Sequence, residues 1–319
     1  MKRRRIAGST NAQYALGIDI GGTTIKIGLV DVVRGTVLEG TTIPTRARDA
    51  PATSLSRVSA ACSPLIARIA ARGDRIAAVG VAVAELVDRS GLIRTHGVLP
   101  WTSAQITHAF KRFGAVVVSS DVQAAAFAEG RFGAGRGCAT FLYVSVGTGV
   151  SSSLVIDGRP FVGAQGFGIA FASGPTLAGE RRSRTSIEAH VGGPGLVRRA
   201  SKAALQVTGC EDICERAARR SGPERLLVKS ATRELAAAVA LLANALDPQT
   251  IVIGGGLGSA PGYYWKSLRA AFPKFLYEHG NTLPTIRRAK LRSRSGVVGS
   301  ALWAVLHDGS GLSPEQPCA

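Results

Sequence analysis

The chain has 319 residues, 45% of them hydrophobic, and its 39 lysines and arginines against 21 aspartates and glutamates give a formal net charge of +18. This size allows one large core or two moderate ones. No apolar run reaches the roughly 18 residues of a membrane span. The basic start, MKRRRIAGSTNAQ, lacks the apolar segment of a signal peptide. We therefore expect a cytoplasmic protein without membrane contact, in which residues 1–13 form a disordered basic tail.

The positive charge has two interpretations, nucleic-acid binding or a basic surface around a site for phosphorylated ligands. The basic residues form small, dispersed clusters at 2–5, 181–184, 198–202 and 287–294. Aromatic residues do not interleave with these clusters as a groove for single-stranded nucleic acid requires. Charge alone does not choose between the two interpretations.

The cysteines are scattered along the chain and do not indicate a disulfide framework. Cys210 and Cys214 lie four residues apart in GCEDICERAARR, a spacing that predicts one face of a helix. Metal binding there requires two more ligands nearby. A reduced structural pair is the better interpretation.

In the first half, residues 14–31 (YALGIDIGGTTIKIGLVD) predict a β-hairpin around a glycine turn. A third strand region follows in VRGTVLEGTTIPT. Helical spacing in SLSRVSAACSPLIARIAARG predicts a helix that ends at Gly73. The nearly continuous apolar run IAAVGVAVAELVD predicts a strand buried on both faces.

The second half begins with AVVVSSD, a predicted buried strand that ends in Asp121, and VQAAAFAEGRFGAG, a predicted helix. Residues 140–157 repeat the strand–glycine–strand pattern. RELAAAVALLANALDP predicts a helix, TIVIGGGLGSAPGYYWKSLRAAF a strand, glycine turn and helix, and SGVVGSALWAVL a last helix. Hairpins in like positions of the two halves suggest a duplicated α/β unit rather than a plain Rossmann domain.

The first glycine turn carries residues suited to a phosphate group. Its candidate residues are Asp19, Gly21, Gly22, Thr23, Thr24 and Lys26. The glycines let a phosphate approach backbone N–H groups, and the hydroxyls and the ammonium group add donors and charge. Asp19 at the strand end can hold Mg²⁺ directly or through water. An ordinary Gly-Gly hairpin explains the same residues equally well.

Two further glycine turns follow buried strands. Gly147, Thr148 and Gly149 occupy in the second half the position that the first turn has in the first. Gly254, Gly255 and Gly256 can pack flat against a nucleotide base or ribose because they lack side chains. Each is also explained by a tight turn.

Asp121 is the central carboxylate of the sequence. It ends an apolar strand and precedes an alanine-rich helix, so it can be the N-cap of that helix. It can also be a general base that accepts the proton of an attacking hydroxyl. Both roles are compatible.

These motifs resemble the ROK sugar kinases, a family of the actin-like, hexokinase-like ATPase superfamily. The resemblance extends from about Tyr14 to Val305 and rests on LGIDIGGTTIKIGLVD, SSDVQAAAFAEG, SVGTGVSSSLVIDG, DPQTIVIGGGLG and SGVVGSALWAV. It implies an α/β, two-domain actin-like ATPase (ribonuclease H-like) fold with the active site in a cleft between domains. The expected domains are 14–118, onto which a helix at about 300–319 packs back, and 119–299.

The resemblance also implies a reaction and the residues that perform it. ATP phosphates are expected at Asp19–Thr24 and Gly147–Gly149, adenosine near Gly254–Gly256, and Mg²⁺ at Asp19 through water. Asp121 is the expected base toward a hydroxyl of the acceptor. The residues expected to bind that acceptor are Ser120, Gly163, Gln165 and Glu188. A homodimer is expected, and nucleic acid is not an expected partner.

Some positions depart from the family pattern. Ser120 replaces an asparagine, and Ala84-Glu85 replaces a proline–glycine pair. Ala170 and Ser173 stand where the family has a sugar-binding Glu and a zinc-bound His. Since no cysteine lies between Cys138 and Cys210, we expect no structural zinc. The phosphate-binding residues are therefore retained while part of the sugar-recognition set is not.

Three functions follow from this pattern. The favoured one is an active kinase whose acceptor lacks an ordinary anomeric hydroxyl, such as a carbasugar or cyclitol. The second is a non-catalytic protein that binds ATP or a sugar. The third is a transcriptional repressor, which the start of the first phosphate motif near residue 14 disfavours.

Overall fold

The computed structural model describes residues 13–168, 170–174, 186–277 and 283–307, which divide into two compact units. The first unit comprises the described residues up to Ala128 and from Arg294 onward, and the second comprises those of Glu129–Ser293. The first unit thus includes residues 119–128 and 294–299, which we had assigned to the second domain from sequence. Of the predicted tail, residues 1–12 lie outside the described part, and the Gln13 side chain donates a hydrogen bond to Asp31.

The described residues form ten strands and ten α-helices. The strands are β1 (Tyr14–Ile20), β2 (Thr24–Asp31), β3 (Thr36–Pro44), β4 (Ile76–Val83), β5 (Ala115–Ser120), β6 (Thr140–Val146), β7 (Val150–Ile156), β8 (Arg159–Pro160), β9 (Thr250–Gly254) and β10 (Thr285–Arg288). The helices are α1 (Pro51–Ala70), α2 (Ser103–Phe110), α3 (Asp121–Phe132), α4 (Ile187–Val191), α5 (Gly193–Lys202), α6 (Cys210–Arg219), α7 (Pro223–Leu246), α8 (Gly256–Ser259), α9 (Tyr263–Ala271) and α10 (Ser295–His307).

The sheet of the first unit has the strand order β3-β2-β1-β4-β5. Strands β1 and β2 pair antiparallel, as the hairpin prediction requires, whereas β4 runs parallel to both β1 and β5. Parallel neighbours place the carboxyl ends of β1, β4 and β5 at one edge of this sheet. Asp19, Glu85 and Asp121 lie at or just beyond those ends, so the topology gathers three carboxylates within one unit.

Helix α10 packs closely onto this sheet because glycines face it. A Cβ atom added to Gly17 would lie 2.0 Å from the Val297 carbonyl oxygen, and one added to Gly80 would lie 1.8 Å from that of Ser300. No other residue type fits at either position without moving the helix. The predicted last helix is confirmed at Ser295–His307, and residues 308–319 lie outside the described part.

The sheet of the second unit has the order β10-β9-β6-β7-β8. Its central hairpin of β6 and β7 is antiparallel, as predicted, and β9 runs parallel to β6. Helix α7 begins at Pro223, before the predicted RELAAAV segment, and ends at Leu246 ahead of Pro248. Buried side chains of α5, α6, α7 and α9 form the core on this sheet.

The cysteine pair lies on α6 as predicted. Cys210 and Cys214 are free, half-buried thiols, and one thiol donates a hydrogen bond to the other. Within the described ranges, no three His, Cys, Asp or Glu side chains come together as metal ligands. No helix in that part of the chain is long and apolar enough to cross a membrane.

Candidate active site

The first glycine turn connects β1 to β2 and brings a carboxylate next to an ammonium group. Asp19 and Lys26 lie opposite each other in the hairpin register, and Lys26 Nζ is 3.6 Å from Asp19 Oδ2. The Gly21 N–H donates to the Thr24 carbonyl and closes the turn. Since Gly22 and Thr23 are exposed, their N–H groups and the threonine hydroxyl are accessible to a ligand.

The start of α10 rests against the Asp19 carboxyl group. A Cβ atom on Gly296 would lie 2.5 Å from Asp19 Cγ, so a glycine is required where the helix meets this carboxylate. The side chain of Asp19 is only 16% exposed. Burial raises its pKa above the ordinary value, although the nearby positive charge of Lys26 partly opposes that rise.

Asp121 is the first residue of α3 and directly follows β5. Its Oδ1 accepts a hydrogen bond of 2.6 Å from the N–H of Val122, the next residue. An N-cap side chain accepts from an N–H two or three residues further on, so this contact is not the usual cap. Burial raises the pKa of Asp121 to about 7, and the negative charges of Asp19 and, to a smaller extent, Glu85 add to the rise. Such a carboxyl group exchanges its proton near neutral pH.

Glu85 organises the loop between β4 and α2, a role that we did not predict. The residue is 7% exposed, and its carboxylate accepts four hydrogen bonds, from the Thr95 hydroxyl and from the N–H groups of Gly97, Val98 and Leu99. Burial by itself raises the pKa of Glu85, but these hydrogen bonds outweigh it and the pKa is lowered. The signal was present in the sequence, since Ala84-Glu85 replaces the family's proline–glycine pair.

This loop lies against the first glycine turn. A Cβ atom on Gly22 would come 3.0 Å from Val98 Cγ1, so the two segments are in contact. Glu85 thus fixes, through the Val98 N–H, the segment that borders the candidate phosphate turn.

The second glycine turn, between β6 and β7, is held by Glu188. The Gly147 N–H donates to the Gly149 carbonyl oxygen, and Glu188 Oε2 accepts a hydrogen bond of 2.8 Å from the Val150 N–H. A Cβ atom on Gly149 would lie 2.9 Å from that same oxygen. We had predicted Glu188 only as an acceptor-binding residue, whereas the structure places it directly on the GTG turn.

The third glycine turn lies beside the second. A Cβ atom on Gly255, where φ is +76°, would lie 2.3 Å from the Val146 carbonyl oxygen, and one on Gly254 would lie 2.0 Å from Tyr143 Oη. Tight packing therefore requires these two glycines. A Cβ on Gly256 meets no described atom within 4 Å, while one on Gly147 would lie 3.7 Å from the Gly256 nitrogen. Gly256 is the glycine that packing alone does not explain.

The remaining predicted acceptor residues lie in two segments. Ser120 is buried at the end of β5, beside Asp121. Gly163, with φ of +70°, and the exposed Gln165 lie in the loop after β8. The Ile187 N–H donates to the Gly174 carbonyl oxygen, so the far end of this loop joins the helix that carries Glu188.

Ala170 and Ser173 stand where the family has a sugar-binding Glu and a zinc-bound His, and the structure describes both. Ala170 is exposed, and Ser173 is exposed in a 3₁₀ turn of Phe171–Ser173. Residues 175–185, which follow Ser173 and Gly174, lie outside the described part.

The curated relatives of the chain include a bifunctional enzyme and proteins named as sugar kinases. The chain is 35% identical over 187 residues to the bifunctional enzyme NanE/NanK of Brucella suis, covering 58% of this chain but about a third (34%) of that protein's length. It is 30% identical to a glucokinase of Streptomyces coelicolor, over 90% of this chain and 96% of the relative. It is 31% identical to the kanosamine kinase of Amycolatopsis mediterranei, over 77% and 81%.

A solved structure shares the fold over nearly the whole chain. The ROK family glucokinase of Streptomyces griseus, crystallised with glucose and AMPPNP, has 28% identity and a TM-score of 0.75, covering 90% of this chain and 98% of that one. The predicted α/β class and actin-like ATPase fold are thereby confirmed. The ROK family pattern matches residues 15–306. The chain therefore belongs to the ROK family.

Proposed function

We propose that this protein is an ATP-dependent kinase that transfers the γ-phosphoryl group to a hydroxyl of a sugar or sugar-like acceptor. The observation that carries the proposal is the position of the Asp121 carboxyl group, which directly follows β5 at the sheet edge where β1 and Asp19 end, and whose pKa burial raises to about 7. A general base works best when its pKa lies near the operating pH, because it is then both available and basic enough.

The glycine turns are proposed to bind the donor. ATP phosphates contact the turn of Asp19–Thr24, where N–H and hydroxyl groups are exposed, and the turn of Gly147–Gly149. Adenosine packs near Gly254–Gly256, where Gly256 leaves space for a flat group. Support comes from the glucokinase relative whose structure contains AMPPNP.

Mg²⁺ fits the donor set of the first turn. Asp19 offers a carboxylate whose Oδ2 has one cationic neighbour at 3.6 Å, and Mg²⁺ usually binds through one or two carboxylates plus phosphates and water. When bound, the ion neutralises charge that develops on the phosphates. Asp19 is the residue proposed to hold it, through water.

The proposed chemical step is one in-line displacement. The acceptor oxygen forms a bond to the γ-phosphorus of ATP, the bond from that phosphorus to the bridging oxygen of ADP breaks, and the hydroxyl proton passes to the Asp121 carboxylate. The hydrogen bond from the Val122 N–H holds Oδ1 in place, so it restricts rotation of the Asp121 carboxyl group. Lys26 beside Asp19 contributes positive charge in the same unit.

The acceptor is proposed to lack an ordinary anomeric hydroxyl, as a carbasugar or cyclitol does. Ala170 and Ser173 cannot supply the charged contacts of a glutamate and a histidine, and losing such a contact costs about 1.5–3 kcal/mol each. Ser120, Gly163, Gln165 and Glu188 remain as proposed acceptor contacts. One relative is named a glucokinase and another a kanosamine kinase, and these different acceptors support a changed acceptor here.

A panel assay tests the proposal. Purified protein with ATP and Mg²⁺ is offered hexoses, amino sugars, N-acetyl sugars, cyclitols and carbasugars, while ADP release is followed and the phosphorylated product is identified by mass spectrometry. Acceptor-dependent ADP release with a cyclitol or carbasugar supports both parts of the proposal. Turnover with ordinary hexoses alone contradicts the proposed acceptor class. ATP binding without turnover on any acceptor contradicts the proposed kinase activity.

The second candidate is a non-catalytic protein that binds ATP or a sugar. It is favoured only by the lost family residues, and retention of Asp121 with all three glycine turns argues against it. We further propose, from the family resemblance, that the protein is a cytoplasmic homodimer. Light scattering on the purified protein checks the dimer.

A further inference from the structure

A groove on the second unit, between α7, α9 and the 3₁₀ turn Phe272–Phe275, is lined by cations that the proposed reaction does not use. Its volume is about 340 Å³. The basic side chains that line it are Arg225, Lys229, Arg233, Lys266 and Lys274, and no aspartate or glutamate is among its lining residues.

The described residues provide no ion-pair partner for the positive charges of this groove. None of its lysines and arginines forms an ion pair with a carboxylate in the part of the chain that the structure describes. Arg225, Lys229 and Arg233 follow one another at intervals of four residues, a spacing of about 6 Å along one helix face. Like charges at this spacing destabilise a helix, so the row is unfavourable for the chain alone.

Two of the cations are fixed by aromatic rings. The guanidinium carbon of Arg225 lies 4.3 Å from the centroid of the Tyr263 ring, and that of Arg233 lies 5.4 Å from the centroid of Phe275. A guanidinium group stacked on a ring keeps its N–H donors at the edge and loses little freedom when it binds an anion. Because the arginines cover these rings, the rings are poor platforms for stacking nucleic-acid bases.

We propose that this groove binds a small, multiply phosphorylated molecule. Its volume is in the range of small-molecule sites, which begins at about 300 Å³. Arginine donors match phosphate oxygens in pairs, and lysines add compact positive charge. A second copy of the chain is a poorer occupant, because a two-fold symmetric contact through this groove sets like charges against each other.

Inorganic tripolyphosphate is the probe for this site, measured by isothermal titration calorimetry at about 0.1 M salt, where charges are partly screened. The test variant is Lys229→Gln with Lys266→Gln, which removes one ammonium group from α7 and one from α9 and leaves both ring-stacked arginines intact. The matched control is Lys111→Gln with Lys202→Gln, two exposed lysines outside the groove.

The proposal expects the test variant to bind tripolyphosphate at least tenfold more weakly at one site, and the control to change by less than twofold. Binding at the glycine turns, if it contributes, is equal in both variants and so is distinguished from the groove. The proposal is overturned by equal affinities of wild type and test variant, or by equal losses in both variants. It is also overturned if a ten-nucleotide single strand binds more tightly than tripolyphosphate and only the test variant loses it, because the groove then serves nucleic acid.

Discussion

Lys26 Nζ lies 3.6 Å from Asp19 Oδ2, directly across the first hairpin, and both charges act on Asp121. The negative charge of Asp19 raises the pKa of Asp121, and the positive charge of Lys26 lowers it. The base of the proposed reaction is therefore tuned by the same two residues that border the candidate phosphate turn.

A pH–rate profile measures the effect of these two charges on the pKa of Asp121. Because a general base must be ionised, kcat/KM is expected to rise with pH through an apparent pKa near 7 and then to level off. Replacing Lys26 by Met removes the charge that lowers the pKa of Asp121, so the rising limb moves to higher pH. The exposed Lys111→Met serves as the control and leaves the limb in place. A limb unaffected by Lys26→Met contradicts the coupling.

The raised pKa of Asp121 also lowers the stability of the folded protein at neutral pH. The folded-state value of about 7 exceeds the ordinary value of 3.8, so ionisation favours the unfolded chain and stability falls as pH rises from about 4 through 7. Asp121→Asn is expected to raise Tm above wild type at pH 8, and the difference is expected to narrow toward pH 4. Scanning calorimetry at several pH values measures this. The exposed Asp74→Asn is the control, and a lower Tm for Asp121→Asn at pH 8 contradicts the prediction.

Glu85→Gln tests the loop that borders the first turn. The amide offers one acceptor oxygen where the carboxylate accepts four hydrogen bonds, and its NH₂ group faces N–H donors. We expect the free energy of unfolding to fall by about 1–3 kcal/mol in urea titrations. The control Glu215→Gln removes an exposed i,i+4 partner of Arg219. It is expected to change the free energy of unfolding by less than about 0.5 kcal/mol. Equal effects of the two variants rule out the role given to Glu85.

Substitutions at two neighbouring glycines of the third turn distinguish a packing role from a ligand-binding role. Gly255→Ala places a Cβ 2.3 Å from the Val146 carbonyl oxygen at a φ of +76°, so the variant is expected to unfold at markedly lower urea. Gly256→Ala meets no described atom, so it is expected to fold normally and to weaken ATP binding several-fold. Urea titration and calorimetry with AMPPNP measure the two effects. Normal AMPPNP affinity in Gly256→Ala argues against adenosine at this turn.

The local patterns predicted most of the fold. Alternation around the glycine turns predicted both hairpins, and the apolar runs predicted β4, β5 and β9. Helix α2 was missed, although Thr102 and Gln105 form a capping box that the sequence contains. The start of α7 was also placed too late, because its first turns carry a row of cations rather than an apolar face.

Candidate site residues could be predicted from the sequence where they belong to a local motif. Contacts between residues far apart in the sequence could not be predicted. Asp19 and Asp121 follow from their positions at strand ends. The hydrogen bonds from the Val98 region to Glu85 span more than ten residues of irregular loop, which no periodicity reports. The basic groove was not predicted for a related reason. Its cations lie four residues apart on α7, on α9 and in the 3₁₀ turn after α9, and do not form one run in the sequence.

The most direct test of the account is the single substitution Asp121→Asn, assayed with the best acceptor of the panel. The amide cannot accept the acceptor proton, so kcat is expected to fall by at least ~100-fold, while AMPPNP affinity stays the same or improves because a negative charge is removed. Turnover within threefold of wild type contradicts the role of Asp121 as base, and so does a loss of turnover that is matched by an equal loss of AMPPNP affinity.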